Sequence, residues 1–118
     1  MEKFRSLKVY QKALGLSTEV RRITKGFPKD ELYGLISQFR RAADSIVLNV
    51  AEGAGNSSRK EFARFLDFSI RSGFECIGCL EIAFANEYLA KEKYEISLSA
   101  VNEIIAMLYG LKKSLLKY

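Results

Sequence analysis

The chain has one proline in 118 residues, Pro28. Proline is the strongest helix breaker, because it lacks an amide donor and its ring collides with the preceding turn. Everything beyond Pro28 is therefore free to form long helices. The apolar residues recur at three- and four-residue steps, the period of a helix with one buried face. No segment alternates apolar and polar residues between turn signals as a half-buried strand would.

This spacing predicts four helices. The first spans about Ser6 to Thr24, with Val9, Ala13, Leu16, Val20 and Ile23 on one stripe. Arg21, Arg22 and Lys25 supply cations to its end, and Gly26 followed by Pro28 stops it. Asp30 is the expected N-cap of the second. Its stripe is Leu35, Phe39, Ala42 or Ala43, Ile46 and Val50, and Gly53 is its expected stop. The third begins at Ser58, where "SRKE" reads as a capping box, and runs to about Leu89, a rise of roughly 48 Å. It carries two apolar stripes: Phe62, Leu66, Ser69, Gly73, Cys76, Leu80 and Ala83, then Ile70, Phe74, Ile77, Phe84 and Tyr88. A bundle within one chain needs only one such face per helix, so the second suggests contact with another subunit, the alternative being a broader core with bulky rim residues. "AKEKYE" reads as a polar turn, followed by a fourth helix through Leu98, Val101, Ile105, Leu108, Leu111 and Leu115. With short connections, the simplest arrangement is an all-α antiparallel up-down four-helix bundle forming a single domain over 1–118.

Charge narrows the function. Residues 1–64 carry 13 Lys and Arg against 7 Asp and Glu, and residues 65–118 carry 6 against 7. A basic half suggests an anionic partner, nucleic acid first, although a solvated helix surface can also be basic. Histidine is absent, which removes the usual general base at neutral pH and most metal sites. No apolar run is long enough to span a bilayer, and the N-terminus lacks a secretory pattern, so a cytoplasmic location is expected.

"NVAEGAGNSSRKEF", residues 49–62, is the one stretch that hints at a phosphate loop. It fails the Walker spacing, and a helix rather than a strand precedes it. The dinucleotide pattern fails as well, since Gly53 and Gly55 are followed by Ser58 and not by a third glycine. It reads as a helix stop, a turn and a helix start. Arg59, Lys60 and Arg64 still place cations at that start, where free amides can hold a polynucleotide phosphate. Cys76 and Cys79 lack the two further ligands a zinc site needs and read as packing residues. Glu52 and Asp67 lie on different expected helices and offer no general-acid pair by spacing. Phe62, Phe65, Phe68, Phe74 and Phe84 follow helical spacing and read as core rather than as stacking platforms.

Three strings carry a family resemblance: "LKVYQKAL" at Leu7–Leu14, "FPKDELYGLISQFRRAADSIVLNVAEG" at Phe27–Gly53, and "EFARFL" at Glu61–Leu66. They resemble the four-helix-bundle family of 23S ribosomal RNA intervening-sequence proteins, also labelled the S23 ribosomal protein family. The third helix departs from the family pattern: "RSGFECIG" keeps Ser72 and Glu75, but Ile77 and Gly78 replace a glutamate and a threonine. The resemblance implies bacterial origin, a bundle and a ring-shaped homopentamer. A similar bundle is the accessory protein of diversity-generating retroelements, which is basic, pentameric and binds nucleic acid and a reverse transcriptase.

The leading expectation is a non-enzymatic, homo-oligomeric bundle without cofactor or metal that binds RNA or DNA through its surface. Arg40, Arg41, Arg59, Lys60 and Arg64 would supply charge, and Gln38 and Asn49 polar contacts. The alternatives are a scaffold for a protein partner without direct nucleic-acid binding, and a metal-dependent nuclease using Glu52 or Asp67.

Overall fold

The computed structural model describes residues 3–55 and 58–117. Four helices pack against one another: α1 (Lys8–Thr24), α2 (Ser37–Ala54), α3 (Arg59–Ala85) and α4 (Lys91–Leu115). No strand occurs among the described residues. Neighbouring helices run in opposite directions. Ser72 and Ser69 of α3 reach Ser45 and Ile46 of α2, and Lys12 and Glu19 of α1 reach Glu103 and Lys93 of α4. The result is a rod of 46 × 22 × 20 Å.

The core follows the expected stripes. Val9, Ala13, Leu16 and Val20 of α1 meet Phe39, Ala43, Ile46 and Val50 of α2, and Leu66, Cys76, Leu80 and Ala83 of α3 meet Val101, Ile104 and Leu108 of α4, all buried in one apolar cluster. Burying each large side chain contributes about 1.5–3 kcal/mol, which makes this face the main source of stability. Small residues bring the rods close. A Cβ on Gly73 would lie 2.7 Å from Ile105 Cγ1, and one on Gly53 would lie 2.7 Å from Phe65 Cβ. Gly53 is therefore a contact between α2 and α3 and not the expected stop, and α2 continues to Ala54.

The element ends depart from the sequence reading in five further places. First, α1 begins at Lys8, after a short 3-10 turn at Lys3–Ser6. Second, Asp30 does not cap the second helix. A 3-10 turn at Lys29–Glu31 and a wide π-type turn at Leu32–Ile36 precede α2, and the Glu31 carboxylate accepts from Leu35 N at 3.1 Å. Third, Ser58 Oγ accepts from Glu61 N at 3.1 Å, but the Glu61 carboxylate turns to Arg64, so the capping box is only half made. Fourth, α3 ends at Ala85, four residues before Leu89. Asn86 bonds back to Ile82 O, Glu87 takes a left-handed φ of 63°, and Leu89 folds into the core. Fifth, most of "AKEKYE" is helical. Lys, Glu and Ala are strong helix formers, and Tyr94 stacks on Phe84 at 4.4 Å and donates to Glu81. The turn expected between α2 and α3 includes Asn56 and Ser57, which lie outside the described residues.

The second stripe of α3 divides. Ile70 is buried and Ile77 and Tyr88 are half-buried, while Phe74 and Phe84 are exposed and not the core residues expected, because they point away from the bundle core; Ile82, on the same outer face as Phe74, is exposed too.

One polar clamp fixes α1 to α2. Arg21 Nη1 and Nη2 donate to Asp44 Oδ1 and Oδ2 at 2.8 and 2.7 Å, and Ser17 Oγ donates to Oδ1 at 2.7 Å. The Arg21 bonds, aided by Ser17, hold the Asp44 carboxyl below its ordinary value. A carboxyl lowered by folding stabilises the protein above its unfolded pKa and loses that contribution as pH falls through the folded value. Denaturant titrations of wild type and Asp44→Asn check this. At neutral pH the wild type should be more stable by about 1 kcal/mol or less, and the gap should close between about pH 5 and pH 2. Parallel pH profiles would contradict the clamp.

Candidate nucleic-acid interface

At the start of α2, Phe39, Ala42 and Ala43 turn inward and leave Arg40 and Arg41 toward the rim. Arg40 is half-buried. Its Nε donates to Thr24 Oγ1 at 2.9 Å, and Thr24, fully buried, donates in turn to Val20 O at 2.7 Å. Arg41 is exposed. Two shallow cups flank this pair. Lys25, Lys29 and Arg40 rim the first, of about 290 Å³, over Phe27, Leu32 and Ile36. Arg21, Arg40 and Arg41 rim the second, of about 320 Å³, beside Leu32 and Tyr33. Among the described residues, Asp44 is the one carboxylate lining either cup, and Arg21 occupies both of its oxygens. Lys25, Lys29, Arg40 and Arg41 have no ion pair among the described residues.

Arg59, Lys60 and Arg64 stand past the far end of α2, about 20 Å of helix away. Arg59 Nε and Nη2 donate to Leu115 O and Ser114 O, each at 3.0 Å, and so satisfy carbonyls at the end of α4. Arg64 pairs with Glu61 and lies 5.1 and 5.3 Å from the ring centroids of Phe65 and Phe68. Hydrogen bonding within the Arg64–Glu61 pair lowers the glutamate's pKa and raises the arginine's. Lys60 is exposed. Gln38 donates to Glu75 Oε2 at 3.2 Å across the α2–α3 boundary, and Asn49 donates to Ser45 O and Oγ at 2.9 and 3.0 Å.

The seven residues singled out by sequence thus do not form one patch. Arg40 and Arg41 sit together, joined by Lys25, Lys29 and Tyr33, which the sequence reading did not select. The available signal was "KGFPKDELYG", in which two lysines flank the sole proline and a tyrosine precedes a glycine.

Other chemistry is weakly supported by the geometry. Cys76 and Cys79 are buried, and burial above all pushes their thiols up to about 12 and about 11, so both stay protonated at neutral pH. Asp67 pairs with Lys112 at 2.7 Å, and Glu52 is exposed on α2. Among the described residues, no group of three or more His, Cys, Asp or Glu side chains could hold a metal ion. No helix is long and apolar enough to cross a membrane.

The fold has a solved counterpart. A crystal structure of a protein of unknown function from the S23 ribosomal protein family of Bacteroides thetaiotaomicron VPI-5482 superimposes with a TM-score of 0.83, at 24% identity, covering 89% of this chain and 98% of that one. No curated protein matches the chain. The family model described as 23S rRNA-intervening sequence protein matches residues 5–110, nearly the full length. The chain belongs to the 23S rRNA-intervening sequence protein family.

Proposed function

We propose that the chain is a non-enzymatic bundle that assembles with copies of itself and binds RNA or DNA through backbone phosphates at the α1–α2 end. The observation that carries this reading is the group of four cations, Lys25, Lys29, Arg40 and Arg41, set around two cups whose one lining carboxylate among the described residues, Asp44, is already taken; they outnumber the exposed Asp30 beside Lys29. Unneutralised cations held this close favour a polyanion, because each phosphate they meet releases condensed counterions. The net charge of +5 adds a long-range attraction.

Self-association draws support from the outer face of α3. Phe74, Gly78 and Ile82 follow one another at four-residue steps and are exposed in the single chain. An apolar strip of this kind is suited to a neighbouring copy. A closed ring of five, as the family resemblance implies, is the assembly we favour. Sedimentation should give a multiple of 13.4 kDa, and Phe74→Glu with Ile82→Glu should return the single chain with its helicity intact. A wild-type protein sedimenting as one chain would remove this part of the reading.

Salt titration tests the binding. Affinity for a structured RNA or duplex DNA should fall with a log–log slope of about −0.7 to −0.9 per neutralised phosphate. The double variant Lys29→Glu, Arg41→Glu should bind more weakly and shallow the slope by roughly two units. Undetectable binding at low salt would refute the proposal. Unchanged binding by the variant would move the site away from this end.

A further inference from the structure

The way the chain enters α2 is not needed for phosphate contact, and it presents an aromatic ring. The stretch Lys29–Ile36 does not start a regular helix. Gly34 leaves the helical region, with φ −111° and ψ −110°, and widens the turn. Glu31 holds that turn from both oxygens: Oε1 accepts from Leu35 N at 3.1 Å, and Oε2 accepts from the Tyr88 hydroxyl at 2.9 Å. Tyr88 is braced in turn against buried Phe27, with ring centroids 5.6 Å apart. A Cβ at Gly34 would lie 2.9 Å from Glu31 Oε1, so glycine lets the carboxylate sit close. π-type turns within helices often mark functional positions.

The outcome of this bracing is Tyr33. Its side chain projects from a fixed backbone, the residue is 93% exposed, and it has no hydrogen-bond or ring partner among the described residues. A tyrosine usually covers most of its ring and leaves only the hydroxyl wet. Leu32, beside it, is 47% exposed and lines both cups. An aromatic face and an apolar floor surrounded by unpaired cations match the chemistry of an unpaired nucleotide: a flat apolar base between charged phosphates. Duplex bases keep their faces inside the stack and offer Tyr33 nothing.

Resting on the nucleic-acid reading above, we propose that the α1–α2 end selects single-stranded nucleic acid, with one unpaired base stacked on Tyr33 and the adjoining phosphates on Arg40, Arg41 and Lys29. The ring supplies the preference for single strands, and the cations supply the sugar-independent anchoring.

Fluorescence anisotropy with labelled oligomers of about 12 nucleotides tests this, using an RNA strand, a DNA strand, the DNA duplex, and an abasic strand of equal length and charge. The based strands should bind roughly five- to a hundredfold more tightly than the abasic strand, and more tightly than the duplex. Tyr33→Ala should lose that advantage yet bind the abasic strand as the wild type does, with the same salt slope. Tyr33→Phe should keep the advantage. Tyr33→Trp would carry the only tryptophan of the chain, and its emission should change on binding the based strands. A gain on either sugar supports stacking, and a difference between the two identifies the preferred strand. Equal affinity for based and abasic strands, or an unchanged preference in Tyr33→Ala, would overturn the stacking proposal and leave phosphate binding in place. Failure to bind any of the four oligomers would overturn both.

Discussion

A single carboxylate among three arginines sets the character of this molecule. Asp44 can accept one guanidinium in two parallel bonds, and α1 places Arg21 there, with Ser17 as a third donor. Arg40 and Arg41, about one turn earlier on α2, are left to a neutral threonine and to water. Glu31 accepts from an amide and a phenol and keeps its charge, and Asp30 beside it is exposed, so the four cations Lys25, Lys29, Arg40 and Arg41 are offset only in part. The allocation that ties α1 to α2 therefore also leaves Arg40 and Arg41, at one end of the rod, without an ion pair among the described residues. The clamp and the proposed binding surface share the same few residues at a helix junction.

The opposite end satisfies part of its charge internally. Arg59 satisfies carbonyls of α4, Arg64 is paired to Glu61, and Asp67 pairs with Lys112. These contacts close the α2–α3 end much as a clasp would. They leave Lys60, Lys113 and Lys117 as cations there without an ion pair among the described residues. Similar residue types thus act differently according to which acids and carbonyls lie within reach.

How much of this was legible in the sequence depends on the kind of signal. Helical periodicity reports burial, so Val9, Phe39, Leu66, Leu80 and Leu108 fell where the pattern placed them. Glycine carries an ambiguous signal: Gly53 has the composition of a stop, but its missing side chain serves the close approach of Phe62 and Phe65. The polar string before Tyr94 resembled a turn because its contact partners, Glu81 and Phe84, lie on another helix. The same limit applied to the site. Charge asymmetry pointed to the basic half, but spacing could not reveal that Arg59 would cap α4 or that Arg21 would claim Asp44. Tyr33 was hidden for a further reason. Its exposure results from a widened turn at which Glu31 is held by Tyr88, 57 residues after Glu31 in the chain, and spacing does not report such a contact.

The central claim is that Lys25, Lys29, Arg40 and Arg41, which outnumber the exposed Asp30 beside them, make the α1–α2 junction the nucleic-acid surface. Hydrogen–deuterium exchange of the intact protein, with and without a saturating single-stranded oligonucleotide, reads this most directly. The account predicts new protection in residues 25–41, with the Arg59–Arg64 turn unchanged. Protection centred on Arg59–Arg64 or on the outer face of α3, with residues 25–41 unaffected, would contradict it.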